Sequence, residues 1–171
     1  GVQDVRAGVE LAHGPAEDHP AELRVADVAQ RLHEQRPGLP HTGRAAVLCF
    51  EHAFHGRTLL GMTLTGKATP YKIGGAYAPE IYRLPYPYAY RGAGVTSGLE
   101  RALMTLVRPT DLAAVILEPV LGEGGFLVPP ASFLAELRAL CDQHGTVLIA
   151  DELQSGMGRT GTMFAAEQLG L

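Results

Sequence analysis

The chain has 171 residues, is 46% hydrophobic and 19% charged, and carries a formal net charge of −4. That length suits one domain burying about 70% of its unfolded surface, and 14 basic against 18 acidic side chains give no net field to hold nucleic acid. No apolar stretch reaches the roughly 18 to 20 residues of a membrane helix, and GVQDVRAGVE lacks the basic start and apolar core of a signal peptide, so the expectation is a soluble, cytoplasmic chain.

Residues 1–41 hold four of the seven histidines and four prolines. Only Pro20–Arg36 looks regular there: Leu23, Ala26, Val28 and Leu32 form an apolar stripe of helical period that Pro37-Gly38 ends. From Gly43 onward short apolar runs alternate with helical segments. The runs are Ala45–Phe50, Ala113–Leu117 and Thr146–Ala150; helices are expected at Val95–Val107 and Ala131–His144, the latter opened by Pro129-Pro130 and closed by Gly145. Each apolar run is continuous rather than alternating, as in strands covered on both faces. The pattern predicts an α/β fold with a mostly parallel sheet and helices on both faces.

A parallel sheet gathers function at the carboxyl ends of its strands. All three runs end in polar clusters there: Glu51-His52-Ala53-Phe54-His55-Gly56-Arg57, Glu118-Pro119 with Gly122-Glu123-Gly124-Gly125, and Asp151-Glu152-Leu153-Gln154. Several local motifs compete with this reading. Gly156–Gly161 (GMGRTG) fits GxGxxG, yet Asp151 to Ser155 separate it from the strand, and the sequence given stops ten residues after Gly161, short of the place of the motif's acid. Gly61–Ala68 (GMTLTGKA) nearly fits a phosphate loop but ends in alanine where a hydroxyl must reach magnesium. His52, His55 and Glu51 are too few and too closely spaced for an expected zinc site. There is no GxSxG elbow. Cys49 and Cys141, 92 positions apart, read as buried free thiols.

Asp151 stands out because a carboxylate at the end of a buried strand must be paired. A salt bridge to Arg159 or a helix cap would serve. So would a cationic heterocycle, such as the protonated pyridine of pyridoxal phosphate.

The segments FEHAFHGRT (50–58), TGKATPYKIGG (65–75), YRLPYPYAYRG (82–92), LEPVLGEGGF (117–126) and LIADELQSGMGRTG (148–161) occur in one order. Together they resemble the class III pyridoxal-phosphate-dependent aminotransferases, over about residues 42–171. The TGKxxPYK and PYPxxYRG stretches are most similar to the 4-aminobutyrate branch, whereas FHGRT and GEGG also suit acetylornithine- and ornithine-type relatives.

The resemblance implies a part of the large domain of the fold-type I transferases at 42–171, leaving 1–41 as an unassigned segment. It implies pyridoxal 5′-phosphate as cofactor, an ω-amino acid such as 4-aminobutyrate as amino donor, 2-oxoglutarate as acceptor, and a homodimer in the complete enzyme. Phe54 would stack on the cofactor ring with His55 beside it, Asp151 would meet the pyridine nitrogen, Gln154 the phenolic oxygen, and Leu153 the ring face. Arg57 would pair with the distal carboxylate of the donor, a task its planar fork suits. Glu123 would be the acid that pairs with a second arginine, supplied from beyond this sequence, when the donor binds; Glu118 would stand behind it. Leu121 and Leu153 depart from the glutamine and valine common at those places. The family's Schiff-base lysine follows the DExQ motif at a distance not reached by Leu171. The chain's two lysines, Lys67 and Lys72, lie elsewhere. The expectation is therefore a central fragment, inactive by itself; a non-catalytic module pairing with a complete subunit is the alternative.

Overall fold

The computed structural model describes residues 9–11, 42–66, 77–88, 90 and 99–171. In chain order the elements are β1 (Val9–Leu11), β2 (Ala46–Phe50), α1 (Leu59–Leu64), β3 (Ile81–Leu84), α2 (Leu99–Met104), β4 (Leu112–Leu117), α3 (Ala131–His144), β5 (Val147–Asp151) and α4 (Ala165–Leu169). The strands form one sheet in the order β1-β5-β4-β2-β3. β5, β4, β2 and β3 run parallel, and β1 lies antiparallel on β5 with Val9 opposite Asp151.

The continuous apolar runs are explained by two separate cores. On one face Leu48, Phe50, Val115 and Leu117 pack with Leu99, Leu103, Phe133 and Leu137. On the other, Val47, Cys49, Ile116 and Ile149 pack with Leu60 and Leu64 of α1. Alternate residues of each strand feed opposite cores, so no polar position is left along β2 or β4. Phe50 meets both Tyr86 and Phe133 edge-on, with ring centroids 6.0 and 5.7 Å away.

α3 has the bounds expected from sequence. Its buried residues, Phe133, Leu134, Leu137, Leu140 and Cys141, form one stripe at helical spacing. Gly145 ends it in the left-handed conformation, φ 58°, which a residue with a β-carbon adopts at a cost. Arg44 fastens the opposite edge of the sheet from the cleft, donating to the Leu112 and Gly145 carbonyls, both at 2.8 Å.

The structure departs from expectation in its shorter elements. The helix expected at Val95–Val107 spans Leu99–Met104 among the described residues, and the Leu106 and Val107 amides both turn back to the Leu103 carbonyl. The unassigned N-terminal segment contributes β1, too short for a periodic signal. The helix expected at Pro20–Arg36 lies outside the described residues. α1, β3 and α4, of four to six residues each, were not expected either.

Candidate active site

Parallel pairing of β2, β4 and β5 brings the segments after Phe50, Leu117 and Asp151 to one edge of the sheet. Glu118 ties two of them together: its carboxylate accepts from the Phe54 amide at 3.0 Å and from the Gly122 amide at 3.2 Å. Burial pushes its carboxyl above the usual glutamate range, opposed by those amides and by His55. Tyr86 donates its hydroxyl to the Glu118 carbonyl at 3.1 Å, and burial raises that phenol as well.

Asp151 is tied to the third segment. His55 Nδ1 donates to its Oδ2 at 2.7 Å, and the two side chains are 2% and 5% exposed. Oδ1 accepts from the Leu153 amide at 3.2 Å. The neighbouring Glu152 points the other way. Wholly buried, it accepts from the Ser155 hydroxyl and, at 2.7 Å, from the Ala166 amide at the start of α4. The DE pair thus separates into a carboxylate on the cleft side and one that anchors α4.

After β4 the chain makes a short hairpin, closed by paired Leu121 and Leu127. Phe126 within it is 74% exposed and holds φ 55°. Gly122 is required by Gln154: a β-carbon at 122 would stand 1.5 Å from the Gln154 Oε1 atom. Together these segments border a cleft of about 780 Å³. Of the residues singled out from sequence, Phe54, Glu118, Glu123, Asp151, Leu153 and Gln154 line it. His55 lies behind Asp151 rather than on the wall. Arg57 is exposed at the end of the same loop and is not on the wall either, whereas Gly56 is.

The wall also contains Arg159 and Thr160, which belong to the GMGRTG stretch set aside above. From sequence, Arg159 enters only as a partner for Asp151, and Thr160 has no role of its own. α4 begins at Ala165, beyond the last glycine of the motif, so the glycines do not form the strand-to-helix turn of a dinucleotide site. Gly61 lies inside α1 rather than at the turn where a phosphate loop would begin, and Lys67 and Ala68 lie outside the described residues. Asp151 takes His55, not Arg159, as its partner. Among the described residues no three His, Cys, Asp or Glu side chains are grouped to hold a metal, and no helix is long and apolar enough to cross a membrane.

Comparison with known proteins extends this picture. Residues 23–171 match the family described as aminotransferase class-III. The match begins upstream of Thr42, within the segment left unassigned from sequence. The 5-aminovalerate aminotransferase of Pseudomonas aeruginosa is 51% identical over 134 residues, covering 76% of this chain and 32% of the relative. The 4-aminobutyrate aminotransferase of Escherichia coli is 46% identical over the same length and shares. Among solved structures, a Bacillus anthracis aminotransferase superposes with a TM-score of 0.65 at 28% identity, over 75% of this chain and 30% of that one. A transaminase with L-alanine gives 0.63 at 27% identity, over 74% and 32%. The chain spans about a third of the length of the curated relatives it matches.

Proposed function

The chain belongs to the class III aminotransferases, and on that premise we propose that the protein containing it transfers the amino group of an ω-amino acid to 2-oxoglutarate. The relatives named for 4-aminobutyrate and for 5-aminovalerate support a donor whose amine is separated from its carboxylate by a short methylene chain. The class depends on pyridoxal 5′-phosphate.

The observation that carries the reading is Asp151: a buried carboxylate on a cleft wall, braced by a histidine instead of neutralised by an arginine. Such a group suits a cationic N–H. The apolar Phe54 and Leu153 on the same wall suit the faces of a flat ring, so the residues present fit the cofactor. When bound, pyridoxal phosphate supplies an electron sink for the carbon that bears the amine.

This chain's residues have distinct tasks in that reaction. Asp151 would keep the proton on the ring nitrogen, and His55 keeps Asp151 in place. Phe54 and Leu153 would hold the ring, and the Gln154 amide would serve its phenolic oxygen. Glu118, by joining the Phe54 and Gly122 backbones, holds the two loops at their working separation. Arg57, off the wall that the described residues form, would take the distal carboxylate of a donor reaching past that wall. Glu123 faces a second arginine outside this chain, so that one cleft serves an ω-amino acid and a dicarboxylic oxo acid in turn. No lysine lines the described cleft. In this reading a lysine of the longer protein supplies the covalent attachment and the proton shuttle, and that protein is a homodimer of the cytoplasm whose large domain includes residues 42–171.

The test is product analysis with the full-length protein. Given 4-aminobutyrate and 2-oxoglutarate it forms glutamate and 4-oxobutanoate in equal amounts, with 5-aminovalerate as a parallel donor. Glutamate from acetylornithine alone, or from no donor at all, contradicts the proposal.

A further inference from the structure

The loop from Gly156 to Met163 is held by its own hydrogen bonds, and it places Arg159 and Thr160 on the cleft wall. Arg159 and Gly161 amides bond back to the Gly156 and Gly158 carbonyls at 3.4 and 3.2 Å, and the Gly158 amide closes the loop on Met163 at 3.3 Å. Gln168 of α4 clamps it from below, donating to the Thr160 carbonyl at 2.8 Å and to the Thr162 hydroxyl at 3.1 Å. Met157 at φ 60° and Gly158 at φ 81° make the sharp reversal that turns the following pair toward the cleft. For a methionine that conformation is a strained one, of the kind retained where a site needs it.

On this scaffold the exposed Arg159 borders the cleft, and its guanidinium forms no hydrogen bond or ion pair among the described residues, though three carboxylates share the wall. Asp151 is taken by His55 and Glu118 by two amides. The Thr160 Oγ1 atom is buried without a hydrogen-bond partner, on the same wall. A buried hydroxyl left unpaired is destabilising, and the planar guanidinium of the preceding residue offers parallel N–H donors of the geometry that carboxylate and phosphate oxygens match. The geometry points to an anion-binding corner formed by Arg159 and Thr160. It is distinct from Arg57, which lies off the cleft wall. Its ligand is an anionic oxygen group, from either a substrate carboxylate or the phosphate of the cofactor. The inference rests on the amino-transfer reading for which molecule enters the cleft, but not for the presence of the donors.

The experiment compares the full-length wild type with Arg159→Gln and Arg159→Lys. Glutarate, an unreactive dicarboxylate, is titrated calorimetrically, and cofactor retention is followed by equilibrium dialysis. If the corner holds a carboxylate, Arg159→Gln weakens glutarate about 10- to 100-fold, the loss expected for a charge-assisted hydrogen-bond pair. Cofactor retention then stays unchanged, and Arg159→Lys restores part of the affinity. If it holds the phosphate, the same loss falls on the cofactor and glutarate is unaffected. Wild-type values for both ligands in Arg159→Gln overturn the assignment. A wild type that binds glutarate yet forms no glutamate from any donor overturns the amino-transfer reading instead, and the Arg159 comparison still stands.

Discussion

Asp151 and His55 are joined by a 2.7 Å hydrogen bond across 96 residues of chain, linking the end of β5 to the loop that follows β2. Both side chains are almost wholly inside the protein, so the bond fixes the carboxylate without the competition from water that weakens exposed pairs. His55→Ala leaves the Asp151 Oδ2 atom short of a buried partner. Cofactor affinity of the full-length protein is expected to fall about 10- to 100-fold, as read by equilibrium dialysis. Unchanged affinity would assign His55 to packing alone.

Gly122 and Gln154 form a second coupled pair. A methyl group at 122 would occupy the place of the Gln154 amide oxygen. Because the obstacle is the end of a flexible side chain, Gly122→Ala should leave the melting temperature nearly unchanged while displacing the amide. Gly122→Ala and Gln154→Ala are then expected to reduce amino transfer by similar factors, and the double variant by no more than either. Multiplying effects would mean that the two positions act separately.

Glu118 gives a pH-dependent expectation. Burial raises its carboxyl in the folded chain, so on raising pH the unfolded state releases this proton first. The folded state is therefore penalised progressively as pH rises through and above the ordinary glutamate range. Glu118→Gln does not titrate. Its melting temperature relative to wild type should increase from pH 4 to pH 7, whatever the offset caused by the altered amide contacts. A relative change in the opposite direction would contradict the burial argument.

Cys141, beneath the core stripe of α3, has its thiol pushed up to about 12 by burial. It should resist alkylation at pH 8 in the folded protein and react only after denaturation, because the thiolate is the reactive form. Peptide mapping after brief iodoacetamide treatment reads this directly.

Much of the fold was legible because β2, β4, β5 and α3 carry strong, long signals. The strands are unbroken apolar runs, and α3 has a proline start, a glycine stop and five buried residues on one stripe. The short elements lacked such signals: β3 and α4 are held by what they pack against, and α1 by its Thr58 cap and two leucines. At the site, carboxylates at strand ends were visible as Glu118 and Asp151. Asp151 was also preferred over Glu152 from sequence, and it is Asp151 that lines the cleft; what turns Glu152 away, the Ser155 hydroxyl and the Ala166 amide, was not visible there. Arg159 was overlooked for a different reason. Its glycine-rich surroundings were weighed against a dinucleotide fingerprint, and Arg159 itself only as a partner for Asp151, whereas the glycines shape a loop that borders the cleft.

The central claim, that Asp151 serves a cationic ring nitrogen in this cleft, is tested most directly by Asp151→Asn in the full-length protein. Cofactor absorbance is followed while 4-aminobutyrate, and then 2-oxoglutarate, is added in single turnovers. The account predicts that the variant still folds and takes up cofactor but performs both half-reactions about 10²- to 10³-fold more slowly, the factor for losing one partner of a buried ion pair. Half-reactions at the wild-type rate would contradict it.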